Sequence, residues 1–168
     1  MNAIVVVDRN WAIGKNGDLL FTLPIDMKRF RSLTTGGTVL MGHRTLESFP
    51  GGKPLPRRRN IVLTSEALDV PGVEVVHSLE ELRQAASSDD PDHVFVIGGG
   101  SVYAAMLPYC KRVFLTKVDA AGQDPDTFFP NLDKLPGWKV EAEGDRVTEN
   151  GITYRFVDYI NTRPAPKN

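Results

Sequence analysis

Apolar residues along this chain fall into short unbroken runs at 3–7, 38–41, 60–63, 73–76, 94–97 and 113–115. Runs of this length without polar alternation predict strands covered on both faces, as in a largely parallel sheet. Helical spacing fills the gaps. One helix runs from about 24 to 34 and stops at Gly36-Gly37; another starts at Ser78, with Glu81 completing a capping box, and reaches about 86. Shorter helices follow Gly42 and the turn Gly98-Gly99-Gly100. The last third differs: segments 138–147 and 152–160 flank Thr148-Glu149-Asn150-Gly151, and Asn-Gly is a strong hairpin signal. The 152–160 run alternates, which predicts one face toward solvent. The pattern as a whole predicts an α/β fold, a mostly parallel central sheet with flanking helices and a C-terminal antiparallel hairpin. Residues 1–161 read as one domain and 162–168 as a flexible tail.

Composition narrows the function classes. A net charge of −1 over 168 residues gives no general attraction to nucleic acid or to an anionic membrane. No apolar run approaches the roughly 20 residues that span a bilayer, and the start lacks the basic segment of a signal peptide. The single cysteine, Cys110, has no partner for an internal disulfide, which suits a reducing compartment. Beside a strand start and without a nearby base it reads as structural. These features predict a cytoplasmic protein with no nucleic-acid or membrane partner.

Candidate chemistry starts on the first helix. Leu23, Met27, Phe30 and Thr34 form one stripe with Asp26 and Leu33 at its edge, while Lys28, Arg31 and Ser32 point away. Asp26 therefore sits beside Phe30 on the apolar side. It either favours the helix dipole near water or serves as a carboxylate in an apolar cleft, facing a ligand with two N–H donors. The segment 12–21 ahead of it is either an anchored connector or a mobile flap that closes over a ligand, and its length favours the flap.

Strand, glycine turn and helix start recur at 94–101 and at 38–45. Such turns admit a ligand close to the backbone and offer N–H groups to an anion, although many carry no ligand. The dinucleotide fingerprint is absent, because Tyr103 stands where its third glycine belongs. His43, Arg44, Thr64, Ser65 and His77 gather at strand ends, which favours a phosphorylated nucleotide, and NADPH over NADH. The segment 50–59 holds Lys53, Arg57, Arg58 and Arg59 on a Pro-rich loop. It is a solvated loop, a nucleic-acid patch, or a carboxylate clamp using one arginine; no aromatic residues interleave to stack bases.

Read in order, several motifs resemble dihydrofolate reductase over nearly the whole chain: Ile13-Gly14, Leu23-Pro24-Xaa-Asp26 with Phe30, and Met41-Gly42-His43-Arg44-Thr45-Leu46-Glu47-Ser48. Pro54-Leu55-Pro56-Arg57-Arg58-Arg59-Asn60, Ile97-Gly98-Gly99-Gly100-Ser101-Val102-Tyr103, Leu115-Thr116 and Asp126-Thr127-Phe128-Phe129-Pro130 follow. Each is weak alone, but their order and spacing are specific.

The resemblance implies NADPH-dependent reduction of 7,8-dihydrofolate to 5,6,7,8-tetrahydrofolate, with hydride to C6 and a proton to N5. It implies that Asp26 binds the 2-amino group and N3 side of the pterin, with Thr116 bonded to it. Ile4, Val5 and Ile97 would surround the ring, Met27, Phe30, Phe49 and Leu55 would pack the pterin and benzoyl groups, and Arg58 would grip the glutamate α-carboxylate with Lys53 nearby. Arg57 and Arg59 stay solvated on this reading. Leu19 and Phe21 would close over the reacting rings. Val6, Ala12, Ile13, Gly14, Lys15, Asn16, Gly17, Asp18, Gly42, His43, Arg44, Thr45, Leu63, Thr64, Ser65 and His77 fall where the family binds NADPH. So do Ile97, Gly98, Gly99, Gly100, Ser101, Val102 and Tyr103, with a cis peptide expected at Gly98-Gly99. The flap reads Leu20-Phe21 where Pro-Trp is common, which removes an indole N–H. Ser101 and His43 stand where some members carry Arg, leaving the 2′-phosphate to Arg44, Ser65 and His77. No metal is implied, and the protein is expected to act as a monomer. Two alternatives stay open: a pyrimidine or pterin reductase of the same fold, and a non-catalytic folate- or nucleotide-binding module.

Overall fold

Each predicted apolar run forms a strand in the computed structural model, which describes residues 1–15 and 18–166. In chain order the elements are β1 (Asn2–Val7), β2 (Ala12–Lys15), β3 (Asp18–Leu19), α1 (Pro24–Thr34), β4 (Thr38–Gly42), α2 (His43–Glu47), β5 (Arg59–Leu63) and β6 (Val73–Val76). Then follow α3 (Leu79–Ala86), β7 (Val94–Gly98), α4 (Gly100–Met106), β8 (Arg112–Val118), β9 (Thr127–Phe128), β10 (Trp138–Glu143), β11 (Val147–Glu149) and β12 (Ile152–Asn161). The main sheet runs β10-β12-β8-β1-β7-β4-β5-β6, with β11 beyond β10 on the same edge of β12. From β8 to β6 every pairing is parallel; β12 is antiparallel to β8, β10 and β11.

The unbroken apolar runs follow from this layering, because successive strand residues point to opposite faces. Leu40, Ile61, Val96 and Leu115 join Leu82 of α3 and Val102 and Met106 of α4 in one core. Their neighbours Val39, Met41 and Val62 face the other way and pack against Leu46 of α2. α3 starts at Ser78, whose Oγ accepts the Glu81 N–H at 3.1 Å. Only half of the expected capping box forms, since Glu81 Oε2 accepts the His77 N–H at 3.0 Å instead of that of Ser78.

Two expectations need correction. Segment 12–21 is not a plain loop: β2 pairs with β3 and with β9 in a second sheet, and Trp11, Ala12 and Ile13 are buried. The strand of 138–147 divides into β10 and β11, and β12 does not turn one face fully to water. Val157, Tyr159 and Asn161 are buried on one side, while Phe156 and Asp158 on the other meet Arg29 of α1. The hairpin turn itself is as read, with Asn150 and Gly151 at φ 53° and 77°. Beyond β12, the Thr162 and Ala165 N–H groups donate to Gly137 O at 2.7 Å and Pro108 O at 2.8 Å.

The topology fixes where a ligand can sit. The connection leaving β4 runs to β5 on one side, whereas that leaving β7 runs to β8 on the other. Chain ends diverge above this pair of neighbours and open a crevice at their carboxyl ends, where ligands bind in open α/β sheets. Gly42 and Gly98 stand at the two strand ends.

Candidate active site

α1 carries the acid. Pro24 occupies its first turn, where the missing N–H costs nothing. Leu23 is buried with Val118 and Tyr154, which sets Asp26 against β8. Thr116 is buried on β8, next in register to Val6 of β1 and Phe156 of β12, and its hydroxyl donates to Asp26 Oδ1 at 2.5 Å. Burial raises the Asp26 pKa above 3.8; the Thr116 bond and Arg29 oppose this, and Glu149 adds to it. The outcome is a carboxyl held by one hydroxyl in a half-buried place. It keeps acceptor capacity for a ligand with N–H donors.

Around it, Phe30 is half-buried and Met27 is 44% exposed, so the expected apolar stripe is open at Met27. Phe49, Leu55 and Ile97 pack on the Val39–Met41–Leu46–Val62 cluster, on the same face of the sheet as α2. Ile4 holds its carbonyl to the Tyr103 hydroxyl at 2.6 Å, so Tyr103, itself buried, braces β1 from α4.

Arg58 sits half-buried on the basic loop. Its Nη1 donates to Thr34 Oγ1 at 3.0 Å and its Nε to Pro56 O at 3.0 Å, but no carboxylate among the described residues pairs with it. Burial and the neighbouring Arg57 and Arg31 lower its pKa, the mark of an under-compensated cation. Lys53 and Arg57 are exposed. Arg59 departs from the solvated reading: it binds Glu74 at 2.5 Å and Asp89 at 2.8 Å, tying β5 to β6 and to the end of α3. A residue that sequence reasoning missed, Asn60, organises the loop. Its Oδ1 accepts Leu55 N–H at 3.0 Å, and its Nδ2 donates to the carbonyls of Leu55 and Arg58, each at 2.9 Å.

A cleft of about 710 Å³ runs along the carboxyl ends of β1, β7, β4 and β5. Of the residues expected there, Val5, Val6, Ile13, Gly14, Leu19, Gly42, His43, Arg44 and Thr45 line it, as do Leu63, Thr64, Ser65, His77, Ile97 and the stretch from Gly98 to Tyr103. Ala12 does not, being fully buried in β2, and Lys15 pairs instead with Asp124 at 3.7 Å. Asn16 and Gly17 lie outside the described residues, and of Asp18 only its place in β3 is described. Ser48, Glu66 and Thr127 line the cleft without having been foreseen. Their only signal was position, each within a few residues of a glycine or hydroxyl strand end.

Two of the glycines in the cleft, Gly98 and Gly100, leave little room for a side chain. Gly98 has φ 140°, and a Cβ there would stand 3.1 Å from Thr45 Oγ1. A Cβ on Gly100 would meet Thr127 Cγ2 at 2.6 Å. The Gly98–Gly99 peptide is cis, as expected. Neither Gly42 nor Gly99 caps the helix that follows with a side chain, and the first turns of both helices line the cleft. At its far end His43 Nδ1 lies 3.0 Å from Thr64 Oγ1, and His77 Nδ1–H donates to Thr64 O at 2.7 Å. Arg44 is exposed and makes no ion pair with any described residue. Leu19, 69% exposed, stands at the rim, whereas Phe21 turns in against the Leu23–Val118–Tyr154 cluster. Cys110 is away from all of this, wholly buried, and burial pushes its thiol up to about 12.

Known proteins match both the chain and this geometry. Residues 1–161 match the family model described as dihydrofolate reductase. The dihydrofolate reductase of Bacillus subtilis is 36% identical over 159 residues, 93% of this chain and 91% of that one. That of Mycobacterium tuberculosis is 42% identical over 151 residues, 88% and 89% of the two chains. A solved dihydrofolate reductase from Enterococcus faecalis, complexed with NADP(H) and RAB-propyl, superposes with a TM-score of 0.84 at 34% identity. It covers 95% of this chain and 94% of its own. With a family match spanning all twelve strands and relatives well above 30% identity over most of their length, the chain belongs to the dihydrofolate reductase family.

Proposed function

We propose that this protein reduces 7,8-dihydrofolate to 5,6,7,8-tetrahydrofolate with NADPH. The observation that carries the reading is the half-buried Asp26, bonded to Thr116, whose register neighbour Val6 on β1 lines the glycine-lined cleft. The cleft suits NADPH: glycines admit the backbone close to a phosphate chain, uncapped first-turn N–H groups offer donors, and Arg44, Ser65 and His77 supply polar groups for a 2′-phosphate. NADPH, when bound, supplies the hydride delivered to C6 of the pterin.

The chain's own part is binding, orientation and charge. Asp26 accepts hydrogen bonds from the 2-amino and N3 N–H groups of the pterin and polarises the ring, and Thr116 holds Asp26 in place. Ile4, Val5, Ile97, Met27, Phe30, Phe49 and Leu55 enclose the pterin and benzoyl rings. Arg58 binds the glutamate α-carboxylate, with Lys53 at the mouth. Leu19 and Phe21, on the segment leading into α1, limit bulk water, and the N5 proton arrives through a water molecule. Phe21 packs inward and carries no N–H, so it contributes shape alone. The protein works as a cytoplasmic monomer without a nucleic-acid partner. No helix among the described residues is long and apolar enough to cross a membrane.

A pyrimidine reductase of the same fold would have no use for Arg58, whose guanidinium, without a carboxylate partner among the described residues, favours a substrate with a carboxylate tail. NADPH oxidation on adding dihydrofolate, followed by near-ultraviolet absorbance with and without an antifolate, tests the reading. Steady, antifolate-sensitive turnover is expected. Binding of both ligands without turnover would leave only a binding module.

A further inference from the structure

α1 begins without a cap of its own. Leu23 at its N-cap position offers no side-chain acceptor, although the first-turn N–H groups of a helix need partners. The Ile25 N–H is met from the other end of the chain. Glu149, the last residue of β11, places Oε2 and Oε1 at 3.2 and 3.3 Å from that nitrogen. The same carboxylate accepts the Tyr154 hydroxyl at 3.0 Å, which fixes it against β12. One turn along the helix, Arg29 is held 3.1 Å from Asp158 of β12, with its guanidinium 4.2 Å over the Phe156 ring. These contacts bracket Asp26, one residue before it and three after. The C-terminal hairpin thus grips the helix on either side of the acid.

We propose that Glu149 is a positioning residue for Asp26: from the hairpin it fixes the first turn of α1 and, opposite Arg29, sets the charge around the acid that meets the substrate. The proposal rests on the reading that Asp26 holds dihydrofolate. A carboxylate at a helix N-terminus is favourable to the helix. Toward Asp26 it acts as a like charge and favours the protonated carboxyl, whereas Arg29 favours the ionised one. The other groups around Asp26 are Asp158 behind Arg29, the uncharged Thr116 of β8, and Tyr154 of β12 and Tyr103 of α4, both of which feel its charge. Glu149 and Arg29 therefore push the acid in opposite directions.

The test compares wild type with Glu149→Gln, Glu149→Ala and Arg29→Gln, measuring kcat and KM for dihydrofolate across pH, NADPH affinity and thermal unfolding. Glu149→Gln keeps an acceptor for Ile25 but loses the charge, so the inflection of the kcat/KM profile should move to lower pH with little change in KM. Arg29→Gln should move it to higher pH. Glu149→Ala should lower it and also raise KM roughly three- to ten-fold, the scale of losing a charged cap, with NADPH affinity unchanged. An unmoved inflection in Glu149→Gln overturns the proposal, as does an equal loss of NADPH and dihydrofolate affinity in Glu149→Ala. Should the alanine variant fail to fold, Glu149→Gln decides alone. A wild type that does not reduce dihydrofolate would instead sink the functional reading, before any variant is considered.

Discussion

Asp26 is held where its charge is unwelcome, and that has a thermodynamic sign. Its folded-state pKa lies above 3.8, so folding disfavours the ionised form. Stability is full below the unfolded value and declines as pH rises toward the folded one, and the deficit persists at neutral pH. Asp26→Asn should therefore raise Tm at neutral pH, with the gain vanishing in acid. Turnover should meanwhile fall roughly 10²–10³-fold, the scale of losing one preorganised electrostatic contact. A parallel loss of Tm and turnover would mean that the residue serves the fold. Asp26 stood out in the sequence as an acid beside an apolar helix stripe. Its partner Thr116 came only from the resemblance, because ninety residues separate the two and no local pattern links them.

At the scale of elements, the loop before β5 shows how a charge run acquires a single purpose. Composition alone left the three arginines equivalent, and only the family resemblance singled out Arg58. Packing separates them: Arg59 is consumed by Glu74 and Asp89, Arg57 is exposed, and Arg58 docks on Thr34 with no carboxylate partner among the described residues. Arg58→Leu should raise KM for dihydrofolate with kcat little changed, a loss of ground-state binding, and should leave a dihydropterin without a glutamate tail unaffected. Equal effects on both substrates would remove the clamp. Asn60, 1% exposed with three hydrogen bonds into the loop, should repeat the KM effect when changed to Ala. It should also cost about 2–3 kcal/mol of stability in urea unfolding, as buried backbone groups lose partners. Both ends of α1 were legible, through Pro24 and Gly36-Gly37. The second sheet was not, because strands of two to four residues show no period, and their pairing partner β9 lies more than a hundred residues away.

The molecule as a whole is joined by a group that no motif announced. Asp8, 1% exposed at the end of β1, accepts three backbone N–H groups: Asn10 at 2.7 Å, Ala12 at 2.9 Å and Gly122 at 2.8 Å. It binds the main sheet to β2 and to the segment after β8. Asp8→Ala should cost at least ~3 kcal/mol in chemical denaturation, since it leaves several buried donors unpaired at once. A loss under ~1 kcal/mol would show that water replaces the carboxylate.

What the sequence determined by itself was most elements of the main sheet with its helices, and the glycines and polar residues at their ends. Hydrophobic periodicity and turn chemistry are local, and a run of β-covering residues needs only its own neighbours to declare itself. Strand order, and with it the crevice between β4 and β7, was decided by tertiary structure, because pairing depends on crossovers that no window of residues contains. The same holds for Asp26. Its helix face was written in residues 23–34, but its burial, its bond to Thr116 and the opposed charges of Arg29 and Glu149 exist only once β8 and the C-terminal hairpin have closed against that helix.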